Sequence, residues 1–262
     1  MAISISGLET AAARGWRAPQ ETPLGSWLLR AAGGFTGRAN SALAVGHPGM
    51  PLATAIGEVC HWYLARGLPA MVAVPFPLGH AQRAGIDRFL HERGWPIRSG
   101  AATVMTAAPG TVLRRAPATA VPVDMTAEPD DGWLSLYRYR GQRPPPVSRQ
   151  LLMSAPWQAF ASVREAGEVL AIGRLAAAGE WAGFTAFEVD PACRRRGLAS
   201  AIIAALAGLA RDRGISGLYL QVENDNAAAR SLYRRAGFAG HHGYHYRIAP
   251  DIPLTSQVQQ RR

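Results

Sequence analysis

Lysine is missing altogether: the 28 basic residues of this 262-residue chain are all arginine. Set against 18 acidic residues, they leave a formal net charge of +10. Arginine forks match phosphate oxygens, so the excess can mean affinity for phosphate or nucleic acid. A GC-rich coding bias that replaces lysine everywhere gives the same count. A nucleic-acid face needs its charge gathered on one surface, and here it is scattered over both halves, which argues against that partner. Cysteine is scarce too. Cys60 and Cys193 fall in different halves and make no disulfide framework, so a reducing cytoplasm is the default location. The longest apolar runs, such as GLASAIIAALAGLA, stop near 14 residues, short of the ~20 that span a membrane. The opening MAISISGLETAAARG lacks a basic start followed by an apolar core, so no secretory signal is expected. His47, His61, His80 and His91 have no metal spacing with Cys60, and HHGYHY at His241–Tyr246 alternates like a strand. No metal is expected.

What is present reads as two α/β halves. The length suits two domains, and a break falls at residues 107–123, AAPGTVLRRAPATAVPV, rich in Ala, Pro and Thr and without a helical stripe. The expected division is 1–115, then 116–250, with 251–262 as a loose tail. In the first half SWLLRAAGG and ANSALAVG read as strands around a glycine-rich turn. A helix over 52–66 follows, then the strand AMVAVPF, a helix ending at FLHERGW and the strand SGAATVMTA. In the second half PVDMTAEP reads as a strand, DDGWLSLYRYR and VSRQLLMSA as short helices, and WQAFASVREA, VLAIGRLAAAG and WAGFTAFEV as three strands. A helix over 198–213, the strand GLYLQVE, the helix AAARSLYRRAGF and the strand HHGYHYRIA complete it. The halves share one grammar, since LARGLPAMVAVPFP…IDRFLHERGW echoes LARDRGISGLYLQVEN…ARSLYRRAGF. Either a duplicated module or the general look of α/β units explains that likeness.

The most pointed stretch is VDPACRRRGLAS, Val189 to Ser200, between a strand and a long helix. The N-terminus of a helix offers free backbone N–H groups and partial positive charge, so it holds anions. Gly197 and the small Ala199 leave that backbone open, while Arg194, Arg195 and Arg196 add charge upstream. A solvated basic turn is the plain alternative. Downstream, LQVENDNAAARSLYRRAGF places Asn226 at a strand's end and Tyr233 two helical turns later.

Together, V-D-P-x-x-R-x-x-G-L-A and L-x-V-x-x-x-N-x-x-A-x-x-L-Y resemble the GNAT superfamily of acyl-CoA-dependent N-acetyltransferases over about Val123–Ala249. The resemblance implies two GNAT-like modules, α/β (α+β), each a mixed, mostly antiparallel sheet flanked by helices, the C-terminal one complete. It implies acetyl-CoA as cofactor. Arg194, Gly197 and Ala199 would match the pyrophosphate loop, with Arg195, Arg196, Leu198 and Ser200 adding backbone groups. Phe187 and Val189 would bind pantetheine through their backbones, Asn226 would lie beside that arm, and Tyr233 would be the general acid. A core aromatic beside Leu232 and Phe238 is the alternative for Tyr233. In the ribosomal-protein N-terminal acetyltransferases, which this half is similar to, a glutamate stands where this chain has Gln221. Glutamine takes no proton, so Glu188 and Glu223 are the candidate bases, each acting through a water or else merely solvated.

The first half places Leu90 opposite Tyr233, Pro51 opposite Gly197 and Pro48 opposite Arg194. It therefore resembles the half of tandem GNAT proteins that has lost its cofactor and shapes the substrate cleft. In GGFTGRANSALAVG, Arg38 and Asn40 with Ser41 read as a substrate-facing cluster; a tight hairpin capping its own backbone is the alternative. Trp16, Trp27 and Trp62 read as packing. The implied reaction is acetyl transfer to a primary amine, of a small molecule or peptide, by a monomer or homodimer. A non-catalytic acyl-CoA sensor or scaffold is the rival.

Overall fold

Four helices of this chain stop on the same device. Leu68, Trp95, Ile215 and Phe238 each donate an N–H to the carbonyl five residues back, at 3.1, 3.0, 3.0 and 3.0 Å. The residue before each is a glycine with positive φ: 62°, 74°, 70° and 99° at Gly67, Gly94, Gly214 and Gly237. That left-handed turn satisfies carbonyls which the helix end would otherwise orphan. The arginine-glycine echo between the halves is thus a repeated backbone geometry.

The computed structural model describes residues 3–79, 85–117, 121–139 and 141–250. Its first half holds α1 (Ile5–Gly15), β1 (Gln20–Leu24), β2 (Trp27–Ala31), β3 (Ala42–Leu43), α2 (Leu52–Leu64), β4 (Met71–Pro77), α3 (Ile86–Glu92), β5 (Ile97–Ala107) and α4 (Pro109–Arg115). The second holds β6 (Asp124–Thr126), α5 (Asp131–Leu136), α6 (Val147–Leu152), β7 (Trp157–Glu165), β8 (Glu168–Ala178), β9 (Trp181–Val189), α7 (Leu198–Asp212), β10 (Gly217–Glu223), α8 (Ala227–Arg235) and β11 (Ala239–Ile248). His80 and the 251–262 tail lie outside the described residues. No helix among those described is long and apolar enough to cross a membrane.

The strands form one mixed sheet in the order β1-β2-β3-β4-β11-β5-β10-β9-β8-β7-β6. Pairs are antiparallel except β3 with β4 and β9 with β10. Each parallel pair brackets one long helix, α2 or α7, as a crossover requires. At the centre the halves trade strands. β11, last in the second half, lies between β4 and β5 of the first; β5 in turn pairs with β10. The two sheets are therefore sewn into one.

Alternation along the strands sorts the helices. On β4, Val72 and Val74 pack with Ile56 and Val59 of α2, while Met71 and Ala73 pack with Leu8 and Ala13 of α1. On β10, Leu218 and Leu220 pack under Ile202 and Leu206 of α7, and Tyr219 joins the α1 cluster. So α2 and α7 cover one face and α1 the other. Buried Trp133 on α5 with Leu151 and Leu152 on α6 extend the α1 side over β7 and β8.

Residues 107–123, read from sequence as a break without helix, contain α4. Pro109 opens it at a position where a missing N–H costs nothing, and Val112 is buried against α7's core. Two basic residues in seven blur its apolar stripe.

Tyr219 lies flat over β9, where only glycine leaves room. A Cβ on Gly183 would sit 2.5 Å from the Tyr219 hydroxyl oxygen. Forcing such overlap in a packed core costs ~1–3 kcal/mol. Gly183→Ala is expected to lower the melting temperature by roughly 2–10 °C, and an unchanged melt would refute this packing.

Candidate active site

The site begins where two parallel strands part. β9 and β10 pair only from Gly217↔Trp181 to Leu220↔Phe184. β9 continues to Val189 and β10 to Glu223, so a wedge opens between them. A bulge drives the splay. The β8–β9 register slips between Ile172↔Glu188 and Arg174↔Thr185, and Ala186 carries φ 53°, a left-handed value uncommon for alanine. Asp190 donates its N–H back to Leu170 at 2.9 Å. In an antiparallel ladder successive N–H groups point to opposite sides, so Val189 and Phe187 turn theirs into the wedge.

Past Val189 the chain turns into the N-terminus of a long helix. Asp190 caps a short turn, its carboxylate accepting from Ala192 N at 2.8 Å. Arg195 then adopts φ 64° and Gly197 φ 81°. Gly197 is the N-cap of the 15-residue α7 and its carbonyl takes the Ala201 N–H. The N–H groups of Leu198, Ala199 and Ser200 are thereby left without a carbonyl in the helix. They open on a cleft of about 660 Å³ walled by Val189, Arg194, Arg195, Gly197, Leu198, Ala199 and Ser200. The far wall is α8, through Ala228, Ala229, Ser231, Leu232 and Arg235. Sequence reasoning passed over those α8 residues, although 228, 232 and 235 follow helical i, i+4, i+7 spacing. Cys193 also lines the cleft.

Tyr233 faces away from the cleft wall into the core. Its ring meets Phe187 edge-on at 6.3 Å and Phe238 at 6.0 Å, and it is 9% exposed. Among the described residues no hydrogen bond reaches its hydroxyl. Burial, aided by the nearby Glu188 charge, holds the phenol well above its ordinary pKa. Glu188 is half-buried on the α1 face of β9. Burial raises its carboxyl above the usual range, and Arg194 and Arg138 only partly oppose that. Tyr233 thus combines a packed ring with an unengaged hydroxyl.

Other expected site residues are placed differently. Asn226 caps α8, its Oδ1 accepting from Ala229 N at 3.0 Å. Arg196 turns from the cleft to Glu165, its Nη2 donating to both carboxylate oxygens at 3.1 and 3.2 Å; only its backbone belongs to the loop. Glu223 is exposed at the outer end of β10. Asn40 is 5% exposed and spends its whole side chain on its own loop. It accepts from Ala32 N and Gly34 N and donates to the Phe35 and Thr36 carbonyls. The self-capping alternative holds there, because four backbone bonds leave Asn40 nothing to offer a substrate. Arg38 and Gln221 do face one space. They line a small cavity on the α1 face with Glu9, Trp16, Arg30 and Tyr246.

The first half has a counterpart cleft of about 640 Å³ at the start of α2, lined by Trp27, His47, Pro48, Met50, Pro51 and Leu52 among others. Pro51 caps α2 with no side-chain bond. No arginine lines this cleft among the described residues.

This geometry has known counterparts. Residues 3–247 match the protein family described as Probable histone acetyltransferase Rv0428c C-terminal. The chain belongs to this family. With it, the chain is a member of the GNAT superfamily, and it is similar to the uncharacterized N-acetyltransferase YobR of Bacillus subtilis (strain 168). YobR is 27% identical over 249 residues, 93% of this chain and 98% of that protein. A GCN5-related N-acetyltransferase from Kribbella flavida has the same fold, with a TM-score of 0.66 and 17% identity over 97% of this chain and 98% of its own. A tandem GNAT protein from the clavulanic acid biosynthesis pathway, at 17% identity, has a TM-score of 0.62 over 81% of this chain and 76% of its own. The mixed sheet with its flanking helices is the GNAT fold. Acyl transfer is the general chemistry of this family.

Proposed function

We propose that this GNAT protein transfers an acetyl group from acetyl-CoA to a primary amine by direct attack. One observation carries the reading: the free N–H groups at the start of α7, with Arg194 and Arg195, face a cleft that runs to the β9–β10 wedge. Acetyl-CoA supplies an activated thioester there. Leu198, Ala199 and Ser200 N–H with the two arginines would hold its diphosphate, a fit for a helix N-terminus flanked by guanidinium groups. Val189 and Phe187 N–H would align the pantetheine arm as an added strand, and Val189 would face the acetyl oxygen. A preorganised donor at such an oxyanion is worth ~3 kcal/mol of barrier.

The acceptor approaches from the α1 face, where Glu188 waits with a carboxyl shifted towards neutral pH. That suits it to take the ammonium proton. Tyr233 would return a proton to the leaving thiolate.

The decisive test is calorimetry with coenzyme A and acetyl-CoA on the folded chain. Heat is expected from both, and none from either would end the reading. Gly197→Val should weaken coenzyme A binding at least tenfold. Nothing lies within 4 Å of a Cβ built at Gly197, so the new methyls would project into the seat. The positive φ adds a strain of only ~1–2 kcal/mol, so the variant should remain folded. Unaltered coenzyme binding by that variant would remove the α7 seat from the proposal.

A further inference from the structure

The start of α1 is pinned to β11 by a chain of three hydrogen bonds that acetyl transfer does not use. Both ends of the chain belong to the α1 segment. One is the Ile3 carbonyl, just before the Ser4 cap, and the other is the Glu9 carboxylate in the second turn. Two imidazoles of β11 stand between them. His241 Nε2 meets the Ile3 oxygen at 2.9 Å, the Nδ1 atoms of His241 and His242 meet each other at 2.7 Å, and His242 Nε2 meets Glu9 Oε1 at 2.7 Å. Neighbouring residues on a regular strand face opposite sides. Here the β11–β5 register slips between Gly240 and His242, so His241 is the extra residue of a bulge and both rings turn to α1. His242 is fully buried and Glu9 is 7% exposed.

Proton counting fixes the state of this chain. A carbonyl only accepts, so His241 Nε2 carries a proton. One proton lies between the two Nδ1 atoms, because two lone pairs there would repel and two N–H groups would clash. One more lies between His242 Nε2 and Glu9 Oε1, because a carboxylate and a bare nitrogen are both acceptors. Whichever atom holds each, the closed chain has three. Two neutral imidazoles and a carboxylate hold two. The closed chain therefore carries one proton more than its separated parts do above pH ~6.5, where a free imidazole is mostly neutral. The groups around it do not exchange that proton. Arg30 on β2 and Arg38, which face Glu9, stay charged. Burial keeps the phenols of Tyr219 on β10 and of Tyr244 and Tyr246 on β11 protonated. Glu223, whose charge is felt at Tyr244, is exposed at the outer end of β10. The residues paired with His242 are Pro77 on β4 and Val104 on β5, and neither titrates.

We propose that this chain is a proton-operated latch between α1 and β11, shut while the third proton is bound and released when it leaves. Without that proton two acceptors confront each other in a buried site, and the helix start and the bulge must part. Closing takes up one proton, so it is favoured as pH falls. As pH rises above ~6.5 the closing equilibrium weakens by up to about tenfold per pH unit. α1 packs along β8 and β9, and the Gly15 carbonyl at its end accepts from Arg174. The latch thus sets how firmly this face of the sheet is covered. It needs no coenzyme.

Hydrogen exchange of the full chain, followed peptide by peptide from pH 6 to 9 and corrected for the intrinsic pH dependence of amide exchange, tests the latch. Protection of the α1 amides is expected to fall at least tenfold between pH 6.5 and 9, while the α7 amides keep theirs. Glu9→Gln should abolish the fall without loosening α1, because its amide N–H can donate to a bare His242 Nε2 and close the chain with no added proton. Glu9→Leu should leave α1 weakly protected at every pH. Wild-type α1 protection that does not change with pH, α1 and α7 falling together, or a wild-type fall in Glu9→Gln protein would overturn the proposal. Should Glu9→Gln fail to fold, the wild-type profile alone decides.

Discussion

Tyr233→Phe is expected to cut acetyl-CoA-dependent turnover by about 10²–10⁴-fold, the usual worth of a positioned acid, with coenzyme A affinity unchanged. The substitution is unusually clean here. The ring contacts with Phe187 and Phe238 belong to the aromatic carbons and survive in phenylalanine. Among the described residues no hydrogen bond reaches the hydroxyl, so removing it strands nothing and should leave stability within about 1 kcal/mol. Folding and catalysis are therefore separated by one atom. Because burial holds the phenol far above its ordinary pKa, Tyr233 stays protonated throughout the working range and sets no alkaline limb near neutrality. The acid limb belongs to Glu188. Once protonated it accepts nothing, so turnover should fall as pH drops through a carboxyl pKa raised above the usual value by burial. Single-turnover thiol release across pH, in wild type and Tyr233→Phe, reads both effects. Full turnover by the variant at every pH would leave Tyr233 a core aromatic and nothing more.

The loop and helix start around Gly197 were legible in the sequence because they are local. Gly197, its flanking arginines and the apolar period of α7 lie within one short stretch, and a helix start needs no distant partner. Gln221 was legible as a departure for the same reason. The exchange of β5 and β11 was not, since strand pairing is decided by contacts over a hundred residues apart, and HHGYHYRIA alternates identically against any neighbour. α1 escaped because ISGLETAAARG is alanine-rich, and its buried residues are only Leu8, Glu9, Ala13 and Gly15. With it went Glu9 and the α1 wall of the small cavity beside it. Asn40 misled because a polar cluster in a glycine loop looks alike whether it faces a ligand or its own backbone; the direction of the amide, set by the turn at Thr36 (φ 61°), decides. Composition spoke faintly throughout. The arginine excess covers exposed turns, buried clamps such as Arg174 and the unpaired Arg38 without distinction.

Asp87→Ala should remove ~3–5 kcal/mol of stability, the cost of stranding a buried charge by deleting its partner. At this chain length that is a melting-temperature drop of roughly 6–20 °C. Asp87 sits on α3 of the first half and its Oδ1 meets Arg247 Nε at 2.8 Å and His245 Nε2 at 2.7 Å. Both partners lie on β11, the strand that crosses from the second half, so this is the latch on the exchange. Arg247 is only 2% exposed and one of its terminal nitrogens already lacks a partner; without Asp87 the guanidinium would keep little beyond the Trp95 carbonyl. Burial alone would raise the Asp87 carboxyl, but hydrogen bonds from Arg247 and His245 outweigh it and hold the pKa below the ordinary value. A depressed carboxylate stabilises the fold above its unfolded pKa, ~3.9, and loses that contribution as pH falls through its folded value. The gap between wild type and Asp87→Ala in urea melts should therefore be full at pH 7 and shrink only below about pH 4. Asp87→Leu combined with Arg247→Met should recover most of the loss, because an apolar pair of similar volume carries no desolvation penalty. A single Asp87→Ala variant within 1 kcal/mol of wild type would mean that β11 is held by its ladder alone. Tyr244 and Tyr246, on the opposite face of that strand, line the small cavity under α1, so a loosened latch should disturb packing on that face before it reaches the cleft at the start of α7.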